Sequence, residues 1–294
     1  MMDAGSVLQL GFNALSLGCA YALVALGFVL VINAVGAVNF AHGDLVMAGG
    51  FLAVAAAQIW PAPGILILPA LLAVMAAMGV VLGAIAYLPL ARRPPSAVFV
   101  STIAVAIMLQ NGANAVFGAA PRAGPALVAP GHWTGAGVAF DRQSVAVILV
   151  SLILACAFRF VLTRTQLGRS LRAVAADAEM ARALGIDARL HILGAFAAAA
   201  ALAGAAGLLL SQRYFVTPTE GTGLMLKAYI AVVIGGWGRW GGAVLGALFV
   251  AAFEVLVAAW LAQPLAEALL CAAVLAVLFV RPQGVFGETH GRCA

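Results

Sequence analysis

Charge is what this sequence most lacks. Asp, Glu, Lys and Arg make up 9% of the 294 residues and hydrophobic residues 65%, whereas a soluble domain has about 25% and 45–50%. So little polar surface excludes a soluble enzyme, a disordered region, a collagen and a coiled coil. No charged residue lies between Asp3 and Asp44, or between Asp44 and Arg92. Such runs suit helices of roughly 20 apolar residues that cross a membrane, and the alternating segments of a β-barrel are missing. We therefore expect an all-α polytopic membrane protein.

The residues that carry most enzyme chemistry are also missing. Lys227 is the only lysine, and it lies between Leu226 and Ala228. A Walker A phosphate loop, which needs Gly-Lys-Ser/Thr, is therefore excluded. The four histidines have no metal-ligand spacing, and the four cysteines contain no C-x-x-C pair. We predict that this chain is not an enzyme and binds no nucleotide and no metal.

The apolar segments predict eight or nine membrane crossings in a single membrane-spanning domain, residues 1–294. Breaks fall at clusters of Pro, Gly and Arg. The 223–236 segment is short and ends in Gly235-Gly236, so it is either a full crossing or a broken or re-entrant helix. The predicted spans are 7–32, 44–60, 65–90, 97–118, 144–163, 190–210, 223–236, 241–262 and 265–280.

Arginine placement predicts the orientation, because cytoplasmic loops are enriched in Lys and Arg. Arg92 and Arg93 mark one cytoplasmic loop, and five arginines in the 164–189 stretch mark another. The net charge of +5 therefore needs no nucleic acid to explain it. Three spans precede Arg92, which places the N-terminus outside and the C-terminus inside. If 223–236 does not cross, the C-terminus moves outside.

Six polar residues at membrane depth are candidates for a translocation path. Placing a polar side chain in the bilayer costs free energy, so such residues usually have a function. Asn39, His42 and Asp44 lie at a glycine-broken helix junction, which is either a well-capped turn or a discontinuous helix facing the path. Gln110 and Asn114 lie on one face of a helix. They either form hydrogen bonds to other helices or line the pore. Glu254 lies deep in its span. Lys227, by contrast, is a candidate for snorkelling to the outer interface.

The 164–189 stretch predicts a cytoplasmic amphipathic helix at 171–185. Leu171, Val174, Ala178, Ala181 and Leu184 form its apolar stripe. Gly185 suits a helix C-cap and Asp187 the N-cap of the next helix. The sequence shows no partner for the stripe, which leaves two alternatives, docking on another subunit or an ordinary interfacial helix. The candidate coupling residues are Arg172, Asp177, Glu179, Ala181, Arg182, Leu184 and Gly185.

Four ordered motifs resemble ABC importer permeases, and more narrowly the branched-chain amino acid permease family of LivH type. The 172–186 segment resembles their cytoplasmic coupling segment, and Val38–Asp44 their N-terminal signature. The glycine-rich 226–246 segment with the late acid Glu254, and Arg281–Gly287 at the end, complete the resemblance. Arg239-Trp240 departs from the family pattern at a turn where small residues and Pro are common.

The resemblance implies partners as well as a function. Alternating access would be driven by two cytoplasmic ATPase subunits, with ATP and Mg²⁺ bound there and no cofactor on this chain. A homologous second permease, a periplasmic solute-binding protein and the bilayer of the bacterial inner membrane would complete the system. Branched-chain amino acids are the expected substrates, and an ABC permease for urea or short amides is the alternative. A self-contained secondary carrier or channel is the rival class.

Overall fold

The computed structural model describes residues 4–91, 93–135 and 138–281. Within these ranges the chain is almost entirely helical, and seven helices are long and apolar enough to cross a membrane. The all-α polytopic prediction is confirmed. The elements are α1 (Ala4–Val35), α2 (His42–Ile59), α3 (Gly64–Leu82), α4 (Pro95–Phe117), β1 (His132–Gly135), β2 (Val138–Asp141), α5 (Arg142–Arg164), α6 (Gln166–Ala176), α7 (Ala178–Ala183), α8 (Ala188–Leu210), α9 (Glu220–Gly235), α10 (Trp240–Ala258) and α11 (Gln263–Val280).

The helices form a bundle with two distinct ends. The antiparallel β1–β2 hairpin marks the hairpin end, where the ring of Phe12 lies 5.1 Å from that of Phe140. Helices α6 and α7 mark the short-helix end, where Val35 at the end of α1 lines a cavity with Glu179 and Arg182. Helix α1 therefore runs the full height of the bundle, and the later long helices alternate in direction.

Small residues let the central helices approach closely. Helix α8 is largely buried between α1, α2 and α3. A Cβ on Gly49 would collide with Gly204 of α8, and one on Gly79 with the backbone of Phe196. Close approach of glycine-bearing faces is how membrane helices gain packing energy. Gly242 and Gly246 likewise contact α9, whereas Gly238 forms a turn with φ +76°.

Helix α2 begins inside the bundle. Nε2 of His42, its first residue, lies 3.0 Å from the carbonyl oxygen of Val24, which is eleven residues, or roughly 16 Å, before the end of α1. After α1 ends, residues 36–41 therefore run back into the interior of the bundle. The N-cap is Ala41, and Asp44 is the third residue of α2, in its first turn.

Helix α9 begins at the same depth and runs the other way. A Cβ on Gly43 would collide with the carbonyl oxygen of Gly221 in the first turn of α9. Beyond the end of α9, the carbonyl oxygen of Gly238 accepts a hydrogen bond from Nδ2 of Asn33 at 2.9 Å, near the end of α1. The 16-residue α9 thus runs from the interior of the bundle to the short-helix end. It is a broken helix, one of the two alternatives that the sequence left open.

The predicted single helix at 171–185 is wrong. Asp177 is extended and divides the segment into α6 and α7, because its side chain accepts hydrogen bonds from the amides of Glu179 and Met180 as an N-cap. The prediction for Gly185 is confirmed, with φ +81° directly after α7. Asp187 caps α8 as predicted. Arg92 and the predicted terminal motif after Arg281 lie outside the described residues.

Candidate translocation path and coupling segment

The starts of α2 and α9 meet inside the bundle at a place we call the helix-start junction, formed by Asp44, Gln110, Gly221 and Thr222. Nε2 of Gln110 on α4 donates to Oδ1 of Asp44 at 2.9 Å and to Oγ1 of Thr222 at 3.1 Å. One amide group thereby joins three helices. A Cβ on Gly221 would collide with the Asp44 carboxylate, so glycine is what allows this approach.

The junction is an environment that favours a negative charge, and the carboxylate of Asp44 occupies it. The first turn of a helix carries unpaired N–H groups and the positive end of the helix dipole, and two such starts meet here. Asp44 supplies the negative charge and is only 2% exposed. A carboxylate at membrane depth is a functional-site hypothesis by default, and this one is held by both helix starts.

A polar face leads from the junction to the surface of the bundle. Gln110 is half-buried, whereas Asn114, one turn along α4, and Thr222 are exposed. Asn111 is exposed as well, and its Nδ2 donates to the carbonyl oxygen of Ile107 in the same helix at 2.8 Å. Exposed amides on a membrane-crossing helix are costly against lipid. This face of α4 therefore suits a water-filled path or a polar partner.

Asn39 and His42 do not join the junction. The Oδ1 of Asn39 accepts a hydrogen bond from the amide of Ala41 at 3.1 Å and shapes the turn before α2. His42 is fully buried between α1 and α2 and points to Val24. The predicted cluster of Asn39, His42 and Asp44 is therefore divided, and only Asp44 meets Gln110.

A second polar cluster, the Lys227 network, lies between α1, α9 and α10. The Nζ of Lys227 lies 2.8 Å from Oε1 of Glu254 and donates to the hydroxyl of Tyr21 at 3.2 Å. The Tyr21 hydroxyl in turn donates to Oε2 of Glu254 at 3.0 Å. The Lys227 side chain is 11% exposed and that of Glu254 4%. The alternative that Lys227 snorkels to the interface is therefore wrong.

The Lys227 network extends toward the hairpin end. Oε1 of Glu267 at the start of α11 lies 3.8 Å from Nζ of Lys227. Tyr214, in the loop before α9, is within reach of these charges. Burial, and next the Glu254 carboxylate, raise the pKa of Tyr214 to about 12 against the opposing effect of Arg213. Burial is thus the main influence on the Tyr214 hydroxyl, and the nearby carboxylates add to it.

The predicted coupling residues divide into buried and exposed sets. Ala181 is only 2% exposed and packs within this chain, as does Val174. The prediction that the apolar stripe has no partner of its own is therefore wrong for these two residues. Arg172, Glu179, Arg182 and Gly185 are exposed, Leu184 is 74% exposed and Met180 59%. An exposed patch formed by Met180 on α7 and Leu184 directly after it is what the segment offers to another subunit.

Comparison with known proteins bears on this arrangement. A family model described as "Branched-chain amino acid transport system / permease component" matches residues 10–279. The chain belongs to this permease family. It is 31% identical to the high-affinity branched-chain amino acid transport system permease protein LivH of Escherichia coli K12, over 96% of both chains. It is 30% identical to BraD of Pseudomonas aeruginosa, also over 96% of both, and 26% identical to a probable LivH of Methanocaldococcus jannaschii, over 90% of this chain and 88% of the relative. No solved structure matches.

The permease therefore has partner components in its transport system, and its helices carry two polar clusters. Sequence reasoning found Asp44, Gln110 and Glu254 in them. It missed Tyr21, Thr222 and Glu267. The available signal was the unusual position of hydroxyl and carboxyl groups next to glycines at 220–223 and close to the only lysine.

Proposed function

We propose that this permease carries branched-chain amino acids inward as one subunit of an ABC importer. The observation that carries the proposal is the meeting of two broken helices around Asp44, open through Gln110 and Thr222 to a polar face of α4. Discontinuous helices whose starts meet near the middle of a membrane are typical of substrate sites in transporters. Asp44, Gln110 and Asn114 are the residues we assign to the path. Asn39 and His42 shape the turn beside it.

The partners in this proposal are a homologous second permease, two ATPase subunits that bind ATP and Mg²⁺, and a periplasmic solute-binding protein. The exposed amides of α4 suit a face shared with the second permease. The exposed apolar patch of Met180 and Leu184 suits a groove of an ATPase subunit. This chain itself would bind no nucleotide and catalyse no reaction.

The orientation in a bacterial inner membrane follows from arginine placement. The short-helix end carries more arginines than the hairpin end, where Arg122, Arg142 and Arg213 lie. The positive-inside rule then assigns the short-helix end to the cytoplasm. The N-terminus would face the periplasm, because α1 starts at the hairpin end.

The test is uptake by the complete transporter reconstituted in proteoliposomes. Asp44→Asn keeps an oxygen that accepts from Gln110 and removes the charge, so we expect uptake of leucine, isoleucine and valine to fall severalfold while the complex stays assembled. Asp141→Asn is the matched control, because Asn also serves as an N-cap on α5. Normal uptake by an assembled Asp44→Asn complex would overturn the role of the junction.

Two further measurements separate the rival functions. Uptake of urea or acetamide in place of the branched-chain amino acids would identify the amide permease. Uptake by this chain without ATPase subunits would identify a self-contained carrier or channel. We expect transport only with ATP and the ATPase pair present, and competition by leucine.

A further inference from the structure

A cavity of about 390 Å³ lies beside the Lys227 network, on the hairpin side of the helix-start junction. We call it the Lys227 cavity. Glu220, Leu224 and Lys227 line it from one face of α9, as their spacing of four and three residues requires. Val46 and Met47 line it from α2, within one turn of Asp44. Its volume falls in the range of about 300–1000 Å³ typical of small-molecule sites.

The wall of the cavity divides into an aliphatic and a charged part. Val46, Met47, Leu210, Val216 and Leu224 supply the aliphatic part. Glu220, Glu267, Lys227 and the hydroxyls of Tyr21 and Tyr214 supply the polar part. An apolar pocket with a few convergent polar groups is the usual form of a specific small-molecule site.

The charges in the wall do not cancel. Lys227 pairs with Glu254 at 2.8 Å and with Glu267 at 3.8 Å, so the carboxylates of Glu220, Glu254 and Glu267 outnumber this one cation by two. An ammonium group placed beside Glu220 and Glu267 offsets one of these two negative charges. Of the three N–H groups on Nζ of Lys227, two donate to Glu254 and Tyr21, and the third is left for an anionic group, because Glu267 at 3.8 Å is beyond hydrogen-bond distance. The wall therefore offers complementary positions for one cation and one anion beside an aliphatic surface.

We propose that the Lys227 cavity holds a zwitterionic α-amino acid with a branched aliphatic side chain. Its ammonium group faces Glu220 and Glu267, its carboxylate faces Lys227, and its side chain packs on Val46 and Leu224. This inference rests on the proposed function and adds a binding subsite in the membrane subunit itself. It places that subsite on the hairpin side, next to the junction that the substrate meets afterwards.

The test is direct binding of radiolabelled leucine to the purified complete transporter, without binding protein and without ATP. The wild type should bind leucine saturably. Isopentylamine, which lacks the carboxylate, and 4-methylpentanoate, which lacks the ammonium group, should each compete more than tenfold more weakly than leucine. Glu220→Gln should weaken leucine binding about tenfold or more and leave competition by 4-methylpentanoate unchanged.

Three variants complete the design. Glu267→Gln should repeat the effect of Glu220→Gln. Leu224→Ala should widen the aliphatic wall and improve competition by phenylalanine relative to leucine. Arg142→Gln is the control, because it removes a charge at the same end of the bundle outside the cavity and should bind leucine as the wild type does.

The outcomes separate this inference from the proposed function. Wild-type affinity in both glutamate variants would overturn the inference and leave the proposed function standing. A wild-type complex that transports leucine but does not bind it without the binding protein would do the same. A wild-type complex that transports no branched-chain amino acid would overturn the proposed function, and the inference with it.

Discussion

Lys227 and Glu254 form a buried ion pair, with 2.8 Å between Nζ and Oε1, that joins α9 to α10. Tyr21 bridges the pair from α1, because its hydroxyl accepts from Lys227 and donates to Glu254. Taking two charges out of water costs several kcal/mol per ion, and their attraction offsets this cost only with good geometry and further hydrogen bonds. Three helices are thus held together by groups that depend on one another.

Removal of one charge from this pair should be far more damaging than removal of both. Lys227→Met leaves the buried Glu254 without its cation, and Glu254→Gln leaves Lys227 only the exposed Glu267 at 3.8 Å, so we expect each to lower the free energy of unfolding by about 3–5 kcal/mol. The double variant should recover most of this loss. Tyr21→Phe removes only the bridging hydroxyl and should cost about 1–3 kcal/mol. Denaturant unfolding in detergent measures all four, and additive losses in the double variant would contradict the pairing.

Glycines at the junction should respond oppositely to the same substitution. Gly43→Ala and Gly221→Ala place a methyl group against backbone or the Asp44 carboxylate, and overpacking of this kind costs about 1–3 kcal/mol. Gly223→Ala, two residues along α9, meets open space and should stabilise by up to about 1 kcal/mol, since Ala is the better helix former. Thermal unfolding of the three variants in detergent tests the contrast. Equal effects at 221 and 223 would show that α2 and α9 do not meet there.

The sequence predicted those features that depend on neighbours within a turn. The apolar runs gave the spans, and the caps at Gly185 and Asp187 were found because capping is read from adjacent residues. Asp177 was misassigned for the same local reason. An acid followed by Ala-Glu-Met-Ala fits an exposed helix position as well as it fits an N-cap, and only the fold around it shows that the chain is extended there.

The side-chain contacts inside the bundle could not be predicted from neighbouring residues in the sequence. Asp44 meets Gln110 across 66 residues, and Tyr21 meets Glu254 across 233. Such partners are set by which helix faces pack together, and small residues, which carry little polarity signal, decide that packing. Ala181 shows the same limit. Its place in an apolar stripe is visible in the sequence, but the helix that covers it is not.

The surface of α7 should determine association with the ATPase. Leu184 and Met180 are exposed, so we expect Leu184→Glu and Met180→Glu to abolish co-purification of the ATPase subunits while thermal unfolding of the permease is unchanged. Ala181→Trp should instead lower the unfolding temperature, because this side chain is buried within the chain. Trp133→Glu, an equivalent change at the hairpin end, is the control and should keep the ATPase. Retained association in both acidic variants would assign the docking surface elsewhere.

The two ends of the bundle should face opposite sides of the membrane. Ser6 lies in the first turns of α1, on the hairpin side, and Ala183 lies at the end of α7; both are exposed. The native cysteines Cys19, Cys156, Cys271 and Cys293 are first replaced by alanine or serine, so that a single introduced cysteine reports its own position.

In intact cells with a permeable outer membrane, Ser6→Cys should react with a membrane-impermeant maleimide, because the arginine-poor hairpin end is expected outside. Ala183→Cys should react only after the inner membrane is opened, since α7 lies among the arginines that the positive-inside rule assigns to the cytoplasm. The reverse pattern would invert the orientation and place the Lys227 cavity on the cytoplasmic side. Labelling of both positions in intact cells would contradict the alternation of the helices between the two ends, because α1 and α5 would then fail to separate them.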